Sequence, residues 1–211
     1  MEKLACLDLK WCQAAFYNAA DSEKMTDVIK MNQVHSADCL YLDSVPKESP
    51  SVDALITDKK GLKLAVKTAD CAPILMADTK RPLVAAVHAG WKGAFQGILE
   101  NTVLEMLRHG ANIDTLYAGI GPHIQKKTFE MGEEIKALFP KTEDGFFTTL
   151  GNKILFNFDA YVIHRLKRAG VRFIETVGDD TYPDPIYFSY RRDPQNPGRQ
   201  FSSIIIKGGK K

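Results

Sequence analysis

The sequence lacks a long apolar segment, since no hydrophobic run approaches the roughly 20 residues that a membrane-spanning helix requires. Its first twelve residues also lack the basic segment and apolar stretch of a signal peptide. The 28 Lys and Arg nearly balance the 26 Asp and Glu, and they form no basic stripe with interleaved aromatics. We therefore expect a cytoplasmic protein without nucleic-acid or membrane partners.

Cysteine is scarce, and no two of the four cysteines form a CxxC pair. Because a secretory signal is also missing, a disulfide framework is disfavoured. We interpret Cys6, Cys12 and Cys39 as small buried apolar side chains. No GxGxxG motif or Walker loop is present, so a dinucleotide or P-loop nucleotide site is unsupported.

Composition is that of a globular protein, with 45% apolar and 26% charged residues and no repeat or linker. A chain of this length can bury one full core, so we predict a single domain over residues 1–211.

Apolar patterns predict a mixed series of strands and helices. Alternation over residues 61–71 predicts a strand with one solvent-exposed face, and the run Leu83–Val87 predicts a buried strand followed directly by His88. An i, i+3, i+4, i+7 stripe predicts a helix over residues 95–107. Because strict βαβ alternation is missing, we expect an α+β fold with mixed sheets. Further helices are predicted for residues 128–139 and 159–170, and strands for 116–120, 171–177, 186–190 and 201–206.

Three short segments place a soft or imidazole ligand at the end of an apolar stretch: His35, Cys71 and His88. Functional sites concentrate where strands lead into loops. Two imidazoles and a thiolate suit zinc, and three protein ligands leave a fourth position for water or substrate. Spacing alone also allows a metal-free interpretation, in which Cys71 is a thiolate nucleophile and His88 its base.

Six motifs occur in a fixed order and carry a resemblance to a known family. They are QVH, DALIT, TADC, HAGWKG, GP and FSYRR, which begin at residues 33, 53, 68, 88, 121 and 188. Together they resemble the YfiH/YlmD family, long known as a polyphenol oxidase or laccase-domain family and now viewed as purine nucleoside phosphorylases. The resemblance covers about residues 31–206, and TADC and HAGWKG are its most specific parts. It implies a layered α/β/β/α-type sandwich.

The resemblance implies a zinc ion bound by His35, Cys71 and His88, and these three residues would carry the catalysis. It further implies phosphorolysis of adenosine and inosine, with methylthioadenosine cleavage and adenosine deamination as related activities. Nucleoside and phosphate would then be the small-molecule partners. Five histidines are too few for a true multicopper oxidase, although copper could occupy the zinc site.

Phosphate requires cationic donors, and Lys92 and Arg191 are the candidates. Lys92 stands where the family has arginine and lacks the planar fork that grips phosphate. We interpret Arg192 as a solvated surface residue. His123, which follows the GP motif, is either an additional polar group at the site or a surface-loop histidine.

Asp53 and Asp70 could each orient a ligating imidazole, and Asp70 could equally cap a turn. The segment before Gln33 is short and lacks the family's Gly-Gly-Val-Ser motif, which leaves part of a nucleoside pocket unassigned. Three classes of function follow from the sequence: a zinc-dependent purine nucleoside phosphorylase with deaminase activity, a metal-independent Cys–His hydrolase or amidase, and a non-catalytic binding module.

Overall fold

The computed structural model of this protein describes residue 4 and residues 7–23, 25–195 and 198–208. Strands and helices alternate irregularly along these residues. The strands are β1 (Cys12–Phe16), β2 (Cys39–Tyr41), β3 (Ala54–Thr57), β4 (Lys63–Thr68), β5 (Ala72–Asp78), β6 (Val84–Ala89), β7 (Leu116–Ile120), β8 (Glu130–Met131), β9 (Phe147–Leu150), β10 (Lys153–Phe156), β11 (Phe173–Thr176) and β12 (Gln200–Ile206). The helices are α1 (Ala19–Ser22), α2 (Trp91–Gln96), α3 (Ile98–Arg108), α4 (Glu133–Lys136) and α5 (Phe158–Arg168).

The central layer is a six-stranded sheet in the order β11-β7-β5-β6-β3-β2. Its two outermost pairs are parallel and its three inner pairs are antiparallel, so the sheet is mixed. Both faces are covered, which explains why β5 and β6 are continuous apolar runs. Ile74 and Met76 pack in the core that contains α3 and α5, whereas Leu75 and Ala77 pack against the second sheet, β1-β12-β4. The predicted layered α+β fold with mixed sheets is confirmed.

A third sheet, in the order β8-β10-β9, carries an aromatic cluster at one end of the helical core. Phe156 of β10 is fully buried, and its ring centroid lies 5.7 Å from that of Phe129 and 5.4 Å from that of Phe139. These rings fix the backbone just before β8 and so place Phe129 beside the candidate site described below.

Two predicted helices differ from the structure. The stripe over residues 95–107 is interrupted at Gly97, whose φ of 106° lies in the left-handed region, so α2 and α3 are separate helices. Residues 128–139 are mostly not helical, because Met131 pairs with Ile154 of the third sheet and only the single turn α4 remains. Helix α5 begins near the predicted position, with Asn157 rather than Asp159 as its N-cap.

Two strand predictions need adjustment, whereas the interpretation of Cys12 as a buried side chain is confirmed. His88 lies inside β6 rather than after it, and residues 186–190 form no strand, because the amide of Phe188 donates to the side chain of Gln200. Burial raises the pKa of Cys12 to about 12, and that of Cys39, which is half-buried, to about 11. Cys6 lies outside the described residues. Among the residues with described structure, none of the helices has the length and apolar character to cross a bilayer.

Candidate metal centre and adjoining cavity

Sheet register brings Cys71 and His88 together. Strands β5 and β6 are antiparallel neighbours, with Pro73 opposite His88 and Ala72 opposite Ala89. Cys71 directly precedes β5 and therefore lies beside the end of β6. His35 reaches the same place from the loop between Met31 and β2, and the ligand atoms of the three side chains lie within 4.8 Å of one another. The clustering expected from the sequence is present.

The Asp53 side chain holds His88 and the loop that carries His35 in place through hydrogen bonds. Its carboxylate is fully buried, and Oδ1 accepts hydrogen bonds from His88 Nδ1 at 2.7 Å and from the His35 amide at 3.1 Å. Oδ2 accepts from the Val34 amide at 3.3 Å and from the amide and hydroxyl of Ser36 at 2.6 and 2.9 Å. Because a carboxylate can only accept, His88 carries a proton on Nδ1, so Nε2 is the nitrogen that would bind a metal ion after losing its own proton. The predicted orienting role of Asp53 agrees with this geometry.

Ionisation of Asp53 follows from the same contacts. Burial alone would raise its pKa, but the hydrogen bonds from His88 and Ser36 outweigh burial and lower the pKa below its usual value. For His88, burial acts to lower the pKa, while the charge of Cys71 and the bond to Asp53 raise it to about 9. The pKa of His35 is lowered, first by burial and then by the charge of His88. The pKa values of the two imidazoles are therefore shifted in opposite directions.

The loop that carries His35 is held in a demanding conformation. His35 has a φ of 58°, in the left-handed region that few non-glycine residues adopt. Gln33 tethers the loop to β4, because its side chain accepts from the Lys67 amide at 2.8 Å and donates to the Lys67 carbonyl at 2.7 Å. The QVH motif thus combines a tether, a tight turn and a ligand-bearing side chain.

Two glycines of the HAGWKG motif allow α2 to approach this loop. A Cβ on Gly90 would lie 2.6 Å from His35 Nδ1 and 3.3 Å from Cys71 Sγ. A Cβ on Gly93 would lie 2.8 Å from the carbonyl oxygen of Ser36. Side chains at either position would therefore push the cluster apart.

A cavity of about 710 Å³ opens onto the cluster. Its volume falls in the range of sites that bind small organic molecules. Aromatic faces come from Trp91, Phe129 and Tyr190, and cationic groups from Lys67, Arg191 and Arg199. The cavity combines flat apolar surfaces with positive charge.

Of the two predicted phosphate contacts, the structure places only one on the cavity wall. Arg191 lies on the cavity wall, whereas Lys92 is exposed at the start of α2 and does not line the cavity. Arg192 is not simply a solvated residue, because its guanidinium donates to the backbone carbonyls of the loop that precedes it. It fixes the loop that presents Arg191.

His123 is neither a surface residue nor part of the cavity wall, which corrects both sequence interpretations. Its side chain is fully buried, Nδ1 donates to the Gly121 carbonyl at 2.8 Å, and Nε2 accepts from Gln125 at 3.2 Å. The ring of His123 packs edge-on against Phe158. Both ring nitrogens therefore have hydrogen-bond partners inside the core, and the ring is surrounded by it. Nothing in the sequence around His123, which follows a Gly-Pro turn, indicated that its side chain would be buried.

Asp70 organises loops rather than an imidazole. Oδ1 accepts from the Thr181 hydroxyl at 2.7 Å and Oδ2 from the Arg191 amide at 2.6 Å. With a φ of 82°, Asp70 forms the tight turn between β4 and β5, as one of its two interpretations predicted. The sequence prediction did not include Arg199, although this residue directly precedes β12 and lies two positions before the predicted strand 201–206, so a search of strand ends could have found it.

Comparison with known proteins adds sequence relatives. A family model described as "Multi-copper polyphenol oxidoreductase laccase" matches residues 12–207. The purine nucleoside phosphorylase of Rickettsia conorii is 36% identical over 194 residues, covering 87% of this chain and 80% of that protein. The one from Clostridium acetobutylicum is 35% identical over 195 residues, covering 90% and 81%. The names of these relatives support an enzymatic role.

Solved structures share the fold. A Neisseria meningitidis protein superposes with a TM-score of 0.80 at 31% identity, covering 90% of this chain and 78% of that chain. YlmD from Geobacillus stearothermophilus has a TM-score of 0.79 at 26% identity, covering 86% and 74%. The similarity therefore extends over most of the chain.

Proposed function

This chain belongs to the YfiH/YlmD laccase-domain family, and on that premise we propose that it is a zinc-dependent purine nucleoside phosphorylase. The observation that carries the proposal is the juxtaposition of a His-Cys-His cluster with a cavity of about 710 Å³ that has aromatic and cationic walls. A nucleoside offers a flat base for the first kind of surface, and phosphate offers negative charge for the second.

The donor set of the cluster fits zinc. One thiolate and two imidazoles are the ligand types that catalytic zinc sites use, and their proximity allows them to share one ion. The bond from His88 Nδ1 to Asp53 supplies the supporting carboxylate that metal-binding histidines usually have. His35, Cys71 and His88 would hold the ion and leave one position open toward the cavity. Copper(II) suits the same donors and is the competing metal.

Phosphorolysis of adenosine breaks the bond between C1′ and N9, forms a bond from C1′ to a phosphate oxygen, and adds a proton to N9. Trp91 offers a face on which the purine can stack, and the rings of Phe129 and Tyr190 add apolar surface to the same cavity. Arg191 offers charged donors to phosphate. A zinc ion, when bound, supplies Lewis acidity that polarises an oxygen atom beside the cluster.

The test is incubation of zinc-loaded protein with adenosine, with and without phosphate, followed by chromatographic separation of adenine, inosine and adenosine. We expect adenine that requires phosphate and disappears in Cys71→Ala. Inosine formed without phosphate would instead indicate deamination, the related activity that the resemblance implies. Unchanged adenosine under both conditions would refute nucleoside chemistry and favour a binding module.

One observation also favours a metal-independent hydrolase. Asp53, His88 and Cys71 form a series in which a carboxylate orients an imidazole beside a thiol, as in cysteine hydrolases. Treatment with a chelator separates the two candidates, since phosphorolysis by a zinc enzyme would cease whereas amide or ester hydrolysis would survive.

A further inference from the structure

Two guanidinium groups on the cavity wall are each oriented by an aromatic ring. Arg191 lies over the ring of Phe129, 5.7 Å from its centroid, and Arg199 lies over the ring of Tyr190 at 5.9 Å. A cation–π contact of this kind limits the positions of the side chain without using its N–H donors. Both guanidinium groups therefore have donors available for a ligand.

Most of the donors of these two side chains are not used within the described residues. Arg191 Nη2 donates to the Glu130 carbonyl at 2.9 Å, and Arg199 Nη1 donates to the Gly198 carbonyl at 2.7 Å. A guanidinium has five N–H donors, so each retains several. Arg192 differs, because its guanidinium is engaged by several backbone carbonyls of its own loop.

The charge of the two arginines is also not neutralised by a neighbouring acid. Across the described part of the chain, no carboxylate forms an ion pair with either guanidinium. The carboxylate of Asp70 on the same wall accepts from Thr181 and from the backbone amide of Arg191. Lys67 adds a third cation to the wall. The cavity is therefore electropositive.

Arg199 lines the same cavity as the metal-binding cluster, because His35, Cys71 and His88 also lie on the cavity wall. An anion held by Arg199 would therefore share the cavity with the cluster. Lys92 does not line this cavity.

We propose that Arg199, together with Arg191, forms the binding site for inorganic phosphate, and that Arg199 rather than Lys92 is the second cation of this pair. This inference rests on the proposed phosphorylase function. The cation–π contacts with Phe129 and Tyr190 restrict the two arginine side chains before phosphate binds, which lowers the entropy lost on binding.

The kinetic test compares Arg199→Gln, Arg199→Lys and the distant control Arg172→Gln, whose side chain is exposed and paired with Asp114. We expect Arg199→Gln to raise the KM for phosphate by about 10- to 100-fold, the loss expected for a charged hydrogen-bonded contact, with KM for adenosine within about twofold. Arg199→Lys keeps the charge but loses the fork, so its KM for phosphate should fall between those of the wild type and Arg199→Gln. Arg172→Gln should match the wild type.

A binding measurement makes the inference testable without turnover. Inorganic phosphate is titrated calorimetrically into the zinc-loaded wild type and into both Arg199 variants, after circular dichroism has checked their folding. Weaker phosphate binding by Arg199→Gln supports the proposal, and Arg199→Lys serves if the glutamine variant does not fold. Unchanged phosphate affinity, or an equal increase of both KM values, would overturn it. A wild type that binds phosphate through Arg199 without cleaving adenosine would instead refute the proposed function alone.

Discussion

Replacing Asp53 with Asn tests whether one carboxylate holds the candidate metal centre together. The substitution preserves shape but converts one acceptor oxygen into an NH2 donor. The least costly orientation keeps the oxygen toward the amides of Val34 and Ser36, which places the NH2 against the His35 amide and His88 Nδ1. Both of those groups are donors in the wild type.

The magnitude follows from the two bonds that this orientation loses. A hydrogen bond to a charged group contributes about 1.5–3 kcal/mol, so two of them correspond to about 3–6 kcal/mol of unfolding free energy. His88 can limit the loss by moving its proton to Nε2, since Nδ1 then accepts from the new NH2. That tautomer removes the lone pair that a metal requires, and supporting carboxylates are worth about 10- to 100-fold in metal affinity. We therefore expect Asp53→Asn to lose both stability and zinc affinity.

The assay pairs urea unfolding with zinc titration against a chromophoric chelator. Asp78→Asn is the matched control, because Asp78 is also a buried carboxylate at a strand end and accepts from Thr115 and from the amides of Lys80 and Asn112. It should lose stability while zinc affinity stays at the wild-type value. Equal zinc affinity in Asp53→Asn and the wild type would refute the argument from tautomer and orientation.

Three further outcomes are expected. Gly90→Ala should weaken zinc binding at least tenfold in the same titration, because its Cβ would lie 2.6 Å from His35 Nδ1; wild-type affinity would contradict the close approach. Burial would raise the pKa of Asp78, but hydrogen bonds from Thr115 and from backbone amides lower it in the folded protein. The ionised carboxylate therefore contributes its full stabilisation above the unfolded-state pKa of about 4, and this stabilisation is lost as the pH falls through the folded-state pKa. The difference in urea stability between wild type and Asp78→Asn should shrink between pH 6 and pH 3, which is about one unit below the unfolded-state pKa, and a constant difference would refute the lowered pKa of Asp78. Trp91→Ala should raise the KM for adenosine about tenfold through lost stacking, with KM for phosphate changing less; unchanged adenosine kinetics would exclude Trp91 from the base site.

Sequence patterns predicted the parts of the fold that depend on local periodicity. The buried run of β6 was predictable, because burial on both faces leaves a continuous apolar segment. The break at Gly97 was missed because the apolar stripe continues across it, although a glycine inside a helical pattern is a local signal of a possible break. Residues 128–139 were misassigned because the pairing of Met131 with Ile154 depends on a partner strand further along the chain.

The candidate site was predictable to the same extent. His35, Cys71 and His88 are marked by motif and position, and they do cluster. The burial of His123 depends on contacts with Gln125 and Phe158, which no local pattern announces. The contribution of Arg199 depends on the ring of Tyr190 and on the shape of the cavity, which only the folded chain defines.

The most direct test of the central claim is a product balance with zinc-loaded protein, adenosine and radiolabelled inorganic phosphate. The account predicts adenine and labelled ribose 1-phosphate in equal amounts, with neither formed after chelation or in Cys71→Ala. Adenosine that stays intact, or inosine that appears without incorporation of label, would contradict the assignment of this protein as a phosphorylase.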